Sequence, residues 1–485
     1  MLNLIIKQTN WSIIGAIFGF LIGFLVKIYL IDIVGLVAWG KYVAAHAFAS
    51  GFDTILSLGI PFVLLKFIPN YINNNMDLAN KLISKSFLLL FKISLFFLLF
   101  IFLFSSYIDK YFYSHIDDFN FILVLVSIHA PISVFTGFIT ALYRSVFKIK
   151  DLIIIGTFII VPIRALLTLI VFYFTDNIIY FIVIELFTTS FSLLLLYYFF
   201  NKNEFSLSLF SKTKYVFKPN QADYRKKMYF NSLISFCSSK SLSIILSLSL
   251  PPKQIAIFGI LMTITGITMF LVKSLNKVFA PAISKLFHEG KILELNTLYK
   301  QTSFILNFLA LPFCIIIIFF AEDILFLYDK TGELSLYKVY LYVLMFSRII
   351  SLSIGSSGMF MIMAGLEKKE LKIQTINTII IITFATLFIQ KYELLAVVSL
   401  FIGSSLFINF SQLYYIIKNI KISPFSKDLF WLYLLSIFLI YYAINYAIVL
   451  SIYHYFIIPI VIYILYSVIF LKQILHIFKK IKESD

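Results

Sequence analysis

Three lysines stand inside two apolar segments that are each long enough to cross a membrane. Lys240 lies in the first segment, and Lys273 and Lys277 lie in the second, after the short turn Pro251–Gln254. A charge at mid-bilayer costs roughly 2.5–3.5 kcal/mol on insertion scales, so such a residue usually packs between helices or lines a water-filled cavity. The hairpin is therefore predicted to wall one side of a cationic cavity. Snorkelling towards the headgroups is the alternative, and it explains Lys277 equally well but suits Lys240 less.

Other polar residues within apolar segments suit the same cavity. Asn231, Ser235 and Ser239 recur every four residues on the first segment, so a helix places them on one face, where they could bind sugar hydroxyls. Arg348 lies in the middle of a later apolar segment, beside Ser347. An arginine in that position is predicted to face the cavity as well.

Acid and histidine chemistry is predicted on an earlier helix. Asp53 follows His46 by seven residues, so both lie on one helical face, within reach of Lys27 from the preceding helix. Asp53 could bind a proton or Na⁺ that drives a transport cycle, or the three residues could form a structural ion pair that hides their charges. Arg164 and Glu185 are predicted to form a second, structural pair.

The composition predicts an all-α protein that crosses the membrane many times. Of 485 residues, 61% are hydrophobic and 13% are charged, and the apolar residues fall in long runs. One transmembrane helix needs about 20 apolar residues, which gives roughly fourteen spans. The predicted spans are 11–33, 42–66, 82–105, 120–143, 152–174, 178–200, 228–250, 255–281, 301–321, 338–364, 371–389, 394–417, 429–450 and 455–475.

The distribution of basic residues predicts the orientation. With fourteen spans, the connections on the side of the termini hold 26 of the 40 lysines and arginines, and those on the opposite side hold 6. Positive residues favour the cytoplasm, so both termini are predicted to be cytoplasmic. The basic connection 202–227 is predicted to face anionic lipid, which is favoured over nucleic acid as a partner.

Several classes of protein are not supported by the sequence. It contains no glycine-rich nucleotide loop and no cluster of metal ligands, and we expect no resident cofactor or metal. Cys237 and Cys314 lie within apolar runs and predict no disulfide framework. The first apolar run, from Trp11, is too long for a cleaved signal peptide. The acidic segment from Ala321 to Lys338 lacks a partner for catalysis, so the protein is not expected to be an enzyme.

An internal repeat predicts two lobes. Gly40 opens the second span and Pro61 follows 21 residues later, while Gly259 and Pro281 are 22 residues apart in the second span of the other half. Repeats in transporters place the substrate site near the midplane, at the repeat interface. The predicted organisation is an N-terminal lobe (1–201), the basic connection (202–227), a C-terminal lobe (228–420), and two extra helices with a tail (421–485).

The sequence also resembles a known family. The segments that carry the resemblance are IVGLVAWGKYVAAHAFASGFDTILSLGIPFVLLKF, PPKQIAIFGI, KVFAPAISKLFHEGK, LPF with AEDILFLY, and MIMAGLEKK. They look like polysaccharide flippases, the O-antigen and capsule transporters of the multidrug/oligosaccharidyl-lipid/polysaccharide exporter superfamily. The resemblance covers roughly residues 5–420.

The resemblance implies a fold, a substrate and a set of binding residues. It implies twelve core helices in two pseudo-symmetric six-helix lobes around a central cavity, with two extra C-terminal helices. The implied activity is alternating-access flipping of an undecaprenyl-diphosphate-linked oligosaccharide to the periplasmic leaflet of the bacterial inner membrane. The protein would be a monomer that could contact the polysaccharide polymerase. The cationic residues on the corresponding helices are Lys27, Lys66, Lys240, Lys273, Lys277 and Arg348.

Two other functions remain open on the sequence. One is a cation-coupled drug antiporter of the same superfamily, although its cavity would favour acids over bases. The other, less well supported, is a membrane glycosyltransferase or polymerase, which usually needs a larger external loop than this chain has.

Overall fold

Helices joined by short turns make up the structure, a computed structural model that describes residues 2–207, 209, 215–445, 458–470 and 473. No β-strand occurs among these residues. Ten of the described helices are long and apolar enough to cross a membrane, and two of them, Ile14–Ser57 and Glu367–Ile420, each contain two predicted spans. Every predicted span overlaps a described helix, which confirms the all-α multi-pass class.

The first half of the chain contains nine helical elements. They are α1 (Leu2–Ser57), α2 (Ile60–Asn74), α3 (Met76–Phe112), α4 (Asn120–Ser127), α5 (His129–Ser145), α6 (Ile149–Ile153), a π-helical segment (Ile154–Ile159), α7 (Ile160–Phe172) and α8 (Ile178–Asn203).

The second half begins inside the predicted basic connection. Its elements are α9 (Pro219–Ser249), α10 (Pro252–His288), α11 (Ile292–Phe319), α12 (Ala321–Tyr328), a 3₁₀ turn (Leu334–Tyr337), α13 (Lys338–Ser353), α14 (Ser357–Met363), α15 (Glu367–Ile420) and α16 (Lys427–Asn445). A further helical stretch covers residues 458–470.

Glycine and proline divide the first helical hairpin. Gly35 (φ 79°) separates the two spans that α1 contains. Leu58 (φ 50°) and Gly59 (φ 71°) then break the second span, and Pro61 sits in the first turn of α2. Proline is tolerated there because the first turn of a helix does not need its N–H group. The span therefore continues to Asn74, beyond its predicted end at residue 66.

The helix formed by α13 and α14 is broken within the membrane span, at Gly355 (φ 70°). The break frees backbone carbonyl groups that a continuous helix would satisfy. The carbonyl oxygen of Leu352 accepts a hydrogen bond from Asn307 Nδ2 at 2.8 Å, and that of Ile354 accepts one from the Tyr299 hydroxyl at 2.8 Å. Two polar side chains of α11 thus stabilise the break.

Helix α16 is attached to the same region by a tyrosine. The Tyr433 hydroxyl lies 2.6 Å from Asn307 Oδ1 and 2.8 Å from the carbonyl oxygen of Ile349, so one proton serves both acceptors. Ser436, one turn later, hydrogen-bonds the hydroxyl of Tyr466 in the last described helical stretch. Polar contacts therefore hold the two appended helices in place.

The division between the eleventh and twelfth spans falls where the sequence placed it. Glu393 has non-helical backbone angles (φ 48°, ψ −128°) inside α15, at the end of the predicted connection Gln390–Glu393. This kink separates two arms of α15, residues 367–392 and 394–420.

Packing divides the chain into two compact units. The first contains Met1–Ile257 with Ala385–Leu394, and the second contains Phe258–Phe384 with Leu395–Asp485. This division follows packing rather than the internal repeat, so the predicted lobe boundaries remain a prediction.

Candidate functional site

A largely buried carboxylate on α8 has several polar partners inside the first unit. Glu185 accepts a hydrogen bond from the Tyr42 hydroxyl at 2.8 Å, and its other oxygen lies 3.5 Å from Arg164 Nη1. Arg164 also donates from Nε to Thr188 Oγ1 at 2.9 Å. The predicted Arg164–Glu185 pair is confirmed, with Tyr42 as a partner that sequence reasoning missed. This carboxylate is already compensated inside the protein.

Two histidines extend the polar interior along α1 and α5. The His46 ring lies 5.7 Å from the Tyr42 ring and 5.5 Å from the His129 ring, measured between centroids. Lys27 is close enough to interact electrostatically with both His46 and Glu185. The predicted pairing of Lys27 with His46 remains a prediction, and Glu185 is a further charged group within electrostatic range of both.

Asp53 follows His46 by two turns on α1, and its carboxylate is only partly hydrogen-bonded. Its Oδ2 accepts a hydrogen bond from Ser133 Oγ at 3.1 Å. Its Oδ1 is buried and has no hydrogen-bond partner among the residues that the structure describes. The cation that interacts with this carboxylate is Lys240, on α9. A buried oxygen with spare acceptor capacity can take up a proton or a small cation.

The face of α9 that carries the predicted sugar contacts is exposed. Asn231, Ser235, Ser239 and Lys240 are all solvent-accessible in the protein alone, although the helix is long and apolar enough to span the membrane. Acyl chains offer no hydrogen bonds to amide, hydroxyl or ammonium groups. These side chains therefore need a hydrated space within the membrane.

Lys66 occupies a different setting. It is an exposed residue of α2, and its Nζ lies 3.9 Å from the centroid of the ring of Tyr224, near the start of α9. A cation at this distance from an aromatic face is stabilised by the ring quadrupole. The structure therefore brings Lys66 against Tyr224.

Arg348 is a buried cation of the second unit. Its relative exposure is 8%, and its guanidinium carbon lies 5.0 Å from the centroid of the Phe401 ring. Its Nε has no hydrogen-bond partner in the described part of the chain, and no described carboxylate forms a salt bridge with it. A buried guanidinium without a counter-ion is costly, so an anionic ligand would relieve its desolvation.

The remaining two predicted cations cannot be placed. Lys273 and Lys277 lie on α10, whose backbone continues through both positions, but their side chains are outside the described residues.

A polar network between α13, α14 and α15 was missed by sequence reasoning. Ser351 hydrogen-bonds Ser405 at 3.0 Å and accepts from Asn409 Nδ2 at 3.1 Å. Gln412, near the end of α15, donates from Nε2 to the buried carboxylate of Glu370, in the first turn of the same helix, at 2.9 Å. The signal in the sequence was the spacing of Ser405, Asn409 and Gln412 within an apolar run, which places all three on one helical face.

Sequence models of two families match the chain. The family described as polysaccharide biosynthesis protein matches residues 5–287, which is more than half of the chain. The MatE family matches residues 229–389. Among curated proteins, no relative matches.

Solved structures with a similar fold come from flippases and multidrug transporters. The lipid II flippase MurJ in an inward closed conformation has a TM-score of 0.72 and 14% identity, over 96% of this chain and 99% of that one. An inward-facing multidrug resistance MATE family transporter has a TM-score of 0.61 and 14% identity, over 86% and 98%. A transporter from Pyrococcus furiosus, described as having a binding pocket of reverse polarity, has a TM-score of 0.59 and 14% identity, over 90% and 96%. These likenesses establish the fold.

Proposed function

Because this chain belongs to the polysaccharide biosynthesis protein family, within the multidrug/oligosaccharidyl-lipid/polysaccharide exporter superfamily, we propose that it flips an undecaprenyl-diphosphate-linked oligosaccharide across the bacterial cytoplasmic membrane. The proposed direction is from the cytoplasmic to the periplasmic leaflet, by alternating access, for O-antigen or lipopolysaccharide assembly. Both termini would be cytoplasmic. The protein would work as a monomeric transporter rather than an enzyme, with contact to the polymerase that uses its product.

The observation that carries this proposal is the environment of Arg348. The guanidinium is buried against Phe401 and forms no salt bridge with a described carboxylate. By contrast, Arg164 is compensated by Glu185. A phosphate oxygen would supply the missing charge and accept the hydrogen bonds that Arg348 can donate. Arginine suits phosphate particularly well, because its planar fork can bind two oxygens at once.

The lysines are further candidates for binding phosphate, separate from Arg348. Lys27 and Lys240 lie near the acids of the first unit, and Lys66, Lys273 and Lys277 are further candidates from the sequence. Each ammonium acts as a point charge that replaces part of the hydration of the phosphates. The exposed amide and hydroxyls at Asn231, Ser235 and Ser239 would bind sugar hydroxyls in the hydrated space that the exposed face of α9 needs.

Release of the cargo would need a weaker phosphate site in one state. Lys240 interacts with Asp53, whose Oδ1 is unsatisfied among the described residues. When Asp53 is ionised it competes with the diphosphate for Lys240, and when it is neutralised by a proton or Na⁺ it leaves Lys240 to the cargo. His46, which Lys27 and Lys240 both approach, would respond to the same change. This arrangement would couple flipping to an ion gradient without a bound cofactor.

Arg348→Ala in a deletion strain tests the proposal. We expect the lipid-linked intermediate to accumulate in the cytoplasmic leaflet while the variant reaches normal membrane abundance. Arg348→Lys should retain part of the activity, because it keeps the charge without the fork. Arg144→Ala is the matched control, since Arg144 is exposed. Normal surface polysaccharide in the Arg348→Ala strain would contradict the proposal.

The drug antiporter is the second candidate, supported by the MatE match and by the fold of the MATE transporters. Drug susceptibility of the deletion strain separates the two. A deletion that leaves drug susceptibility unchanged and traps the lipid-linked intermediate supports the flippase; the reverse pattern supports the antiporter.

A further inference from the structure

A groove lies between the start of the first arm of α15 and the end of the second arm. Its volume is about 430 Å³, within the range of small-ligand sites. The whole groove belongs to the second unit. The residues that line it are Lys372, Ile373, Ile376, Phe407, Phe410, Ser411, Tyr414 and Tyr415.

The rim of this α15 groove is positively charged. Lys418 Nζ donates to the Tyr414 hydroxyl at 3.1 Å, and Lys369 Nζ lies 5.3 Å from the centroid of the Tyr415 ring. Lys372 is exposed beside them. None of these three lysines forms a salt bridge with a carboxylate in the described part of the chain. The rim thus presents positive charge that the protein itself does not neutralise.

The floor of the groove is apolar and open to the outside of the protein. Ile376, Phe410 and Tyr414 are all exposed, although they belong to helical arms that span the membrane. Apolar side chains exposed on a spanning helix contact acyl chains. Tyrosine and lysine above them match the polar headgroup level, where both residue types concentrate. The groove therefore offers an acyl-chain surface directly below a cationic rim.

We propose that the α15 groove binds one anionic phospholipid, with its phosphate at Lys372 and Lys418 and an acyl chain along Ile376 and Phe410. Basic pockets between transmembrane helices bind anionic headgroups. Free phosphate would use the rim but gain nothing from the apolar floor. The bound lipid bridges the two arms of α15 and so holds the angle that the kink at Glu393 sets between them.

Native mass spectrometry of the purified full-length protein tests this site. The probes are palmitoyl-oleoyl phosphatidylglycerol, the matching phosphatidylcholine, undecaprenyl phosphate and inorganic phosphate. We expect the wild type to retain one phosphatidylglycerol and little phosphatidylcholine. The double substitution Lys372→Gln with Lys418→Gln should weaken phosphatidylglycerol binding about tenfold or more. The charge-matched control is Lys285→Gln with Lys427→Gln, because both lysines are exposed and lie outside the groove.

A second variant probes the floor without changing charge. Ile376→Trp fills the groove, so it should also release phosphatidylglycerol while the protein elutes as a monodisperse peak. Three results would overturn the proposal: equal retention by the groove variant and its control, equal binding of phosphatidylcholine, or full displacement by inorganic phosphate. Preferential binding of undecaprenyl phosphate would assign the groove to the cargo lipid and would equally overturn it.

Discussion

The Cα atom of Gly40 packs directly against the carbonyl group of Pro252, leaving no room for a Cβ between the two backbones. Gly40 lies on α1, and Pro252 opens α10 after the short turn that follows α9. A second close approach occurs at Gly59, where a Cβ would lie 2.7 Å from the carbonyl oxygen of Arg225 on α9. Glycine at both positions thus allows α1 and α2 to pack against α9 and the turn that follows it.

Substitution of Gly40 by alanine should therefore be destabilising. The added methyl would force the backbone of Pro252 away, and overpacking of this kind costs about 1–3 kcal/mol. We expect a lower melting temperature in detergent and reduced membrane abundance. Gly137→Ala is the control, because a Cβ at that position would meet no described atom within 4 Å apart from its neighbouring residues and the backbone of its own helix. Equal melting of the two variants would show that the Gly40 contact does not matter.

Asp53→Asn should abolish export at normal abundance. Asparagine keeps the volume and can still accept from Ser133, but it can neither ionise nor compete for Lys240. The measurement is surface polysaccharide in a complemented deletion strain, with membrane abundance determined in parallel. Asp77→Asn is the control, since Asp77 forms only an exposed salt bridge with Lys81. Full activity of Asp53→Asn would remove this carboxylate from the mechanism.

Breaking the Arg164–Glu185 pair should lower the stability of the protein. Arg164→Ala removes the salt-bridge partner of Glu185 and leaves Tyr42 as a hydrogen-bond donor to it. Removing one member of a fully buried pair costs about 3–5 kcal/mol, and we expect a smaller loss here because the Arg164 side chain is 28% exposed. Thermal unfolding in detergent measures the loss. The double variant Arg164→Ala with Glu185→Gln should recover part of it, because no carboxylate then remains unpaired. Double and single variants of equal stability would indicate that the pair is not coupled.

The exposed face of α9 should react with a water-soluble maleimide. Cys237 is exposed on this helix, whereas Cys314 is fully buried on α11. In a Cys237→Ser background, a cysteine at Ser239 should be labelled at least as fast as Cys237 in the wild type. A cysteine at the buried Leu242 should stay unlabelled until the protein is denatured. Equal labelling at both positions would mean that no hydrated space adjoins this face.

Acid should weaken the turn between α3 and α4. Partial desolvation lowers the pKa of His115, an exposed residue whose ring centroid lies 6.2 Å from that of Tyr113. Because the folded pKa lies below the unfolded value of about 6.5, the neutral form is favoured by folding. Its contribution is present above that value and is lost as pH falls through the folded pKa.

The melting temperature should therefore fall between about pH 7 and pH 5 in the wild type, and fall less in His115→Gln. His288→Gln, at an exposed position, serves as the control and should behave like the wild type. Identical pH profiles for all three proteins would exclude His115 as the group responsible.

The fold could be predicted well from the sequence, because the signals that indicate transmembrane helices are local. Spans follow from apolar run length, and the kink at Glu393 falls at the end of the polar segment Gln390–Glu393 that interrupts a long apolar run. The extent of α2 was less predictable, since Pro61 reads as a helix end but instead begins a new helical segment after Gly59. Contacts between residues far apart in the sequence were the hardest to predict. Tyr42 and Glu185 are 143 residues apart, and only the packing of α1 against α8 brings them together.

The C-terminal extension contributes to the polar contacts around the break at Gly355. Tyr299 and Asn307 hydrogen-bond the carbonyl groups of Ile354 and Leu352 at the break, and Tyr433 hydrogen-bonds the carbonyl group of Ile349 one turn earlier. One of these three hydrogen-bonding side chains, Tyr433, lies on α16, outside the twelve core spans. Removal of the two appended helices would therefore remove a polar contact to α13, the helix that carries Arg348.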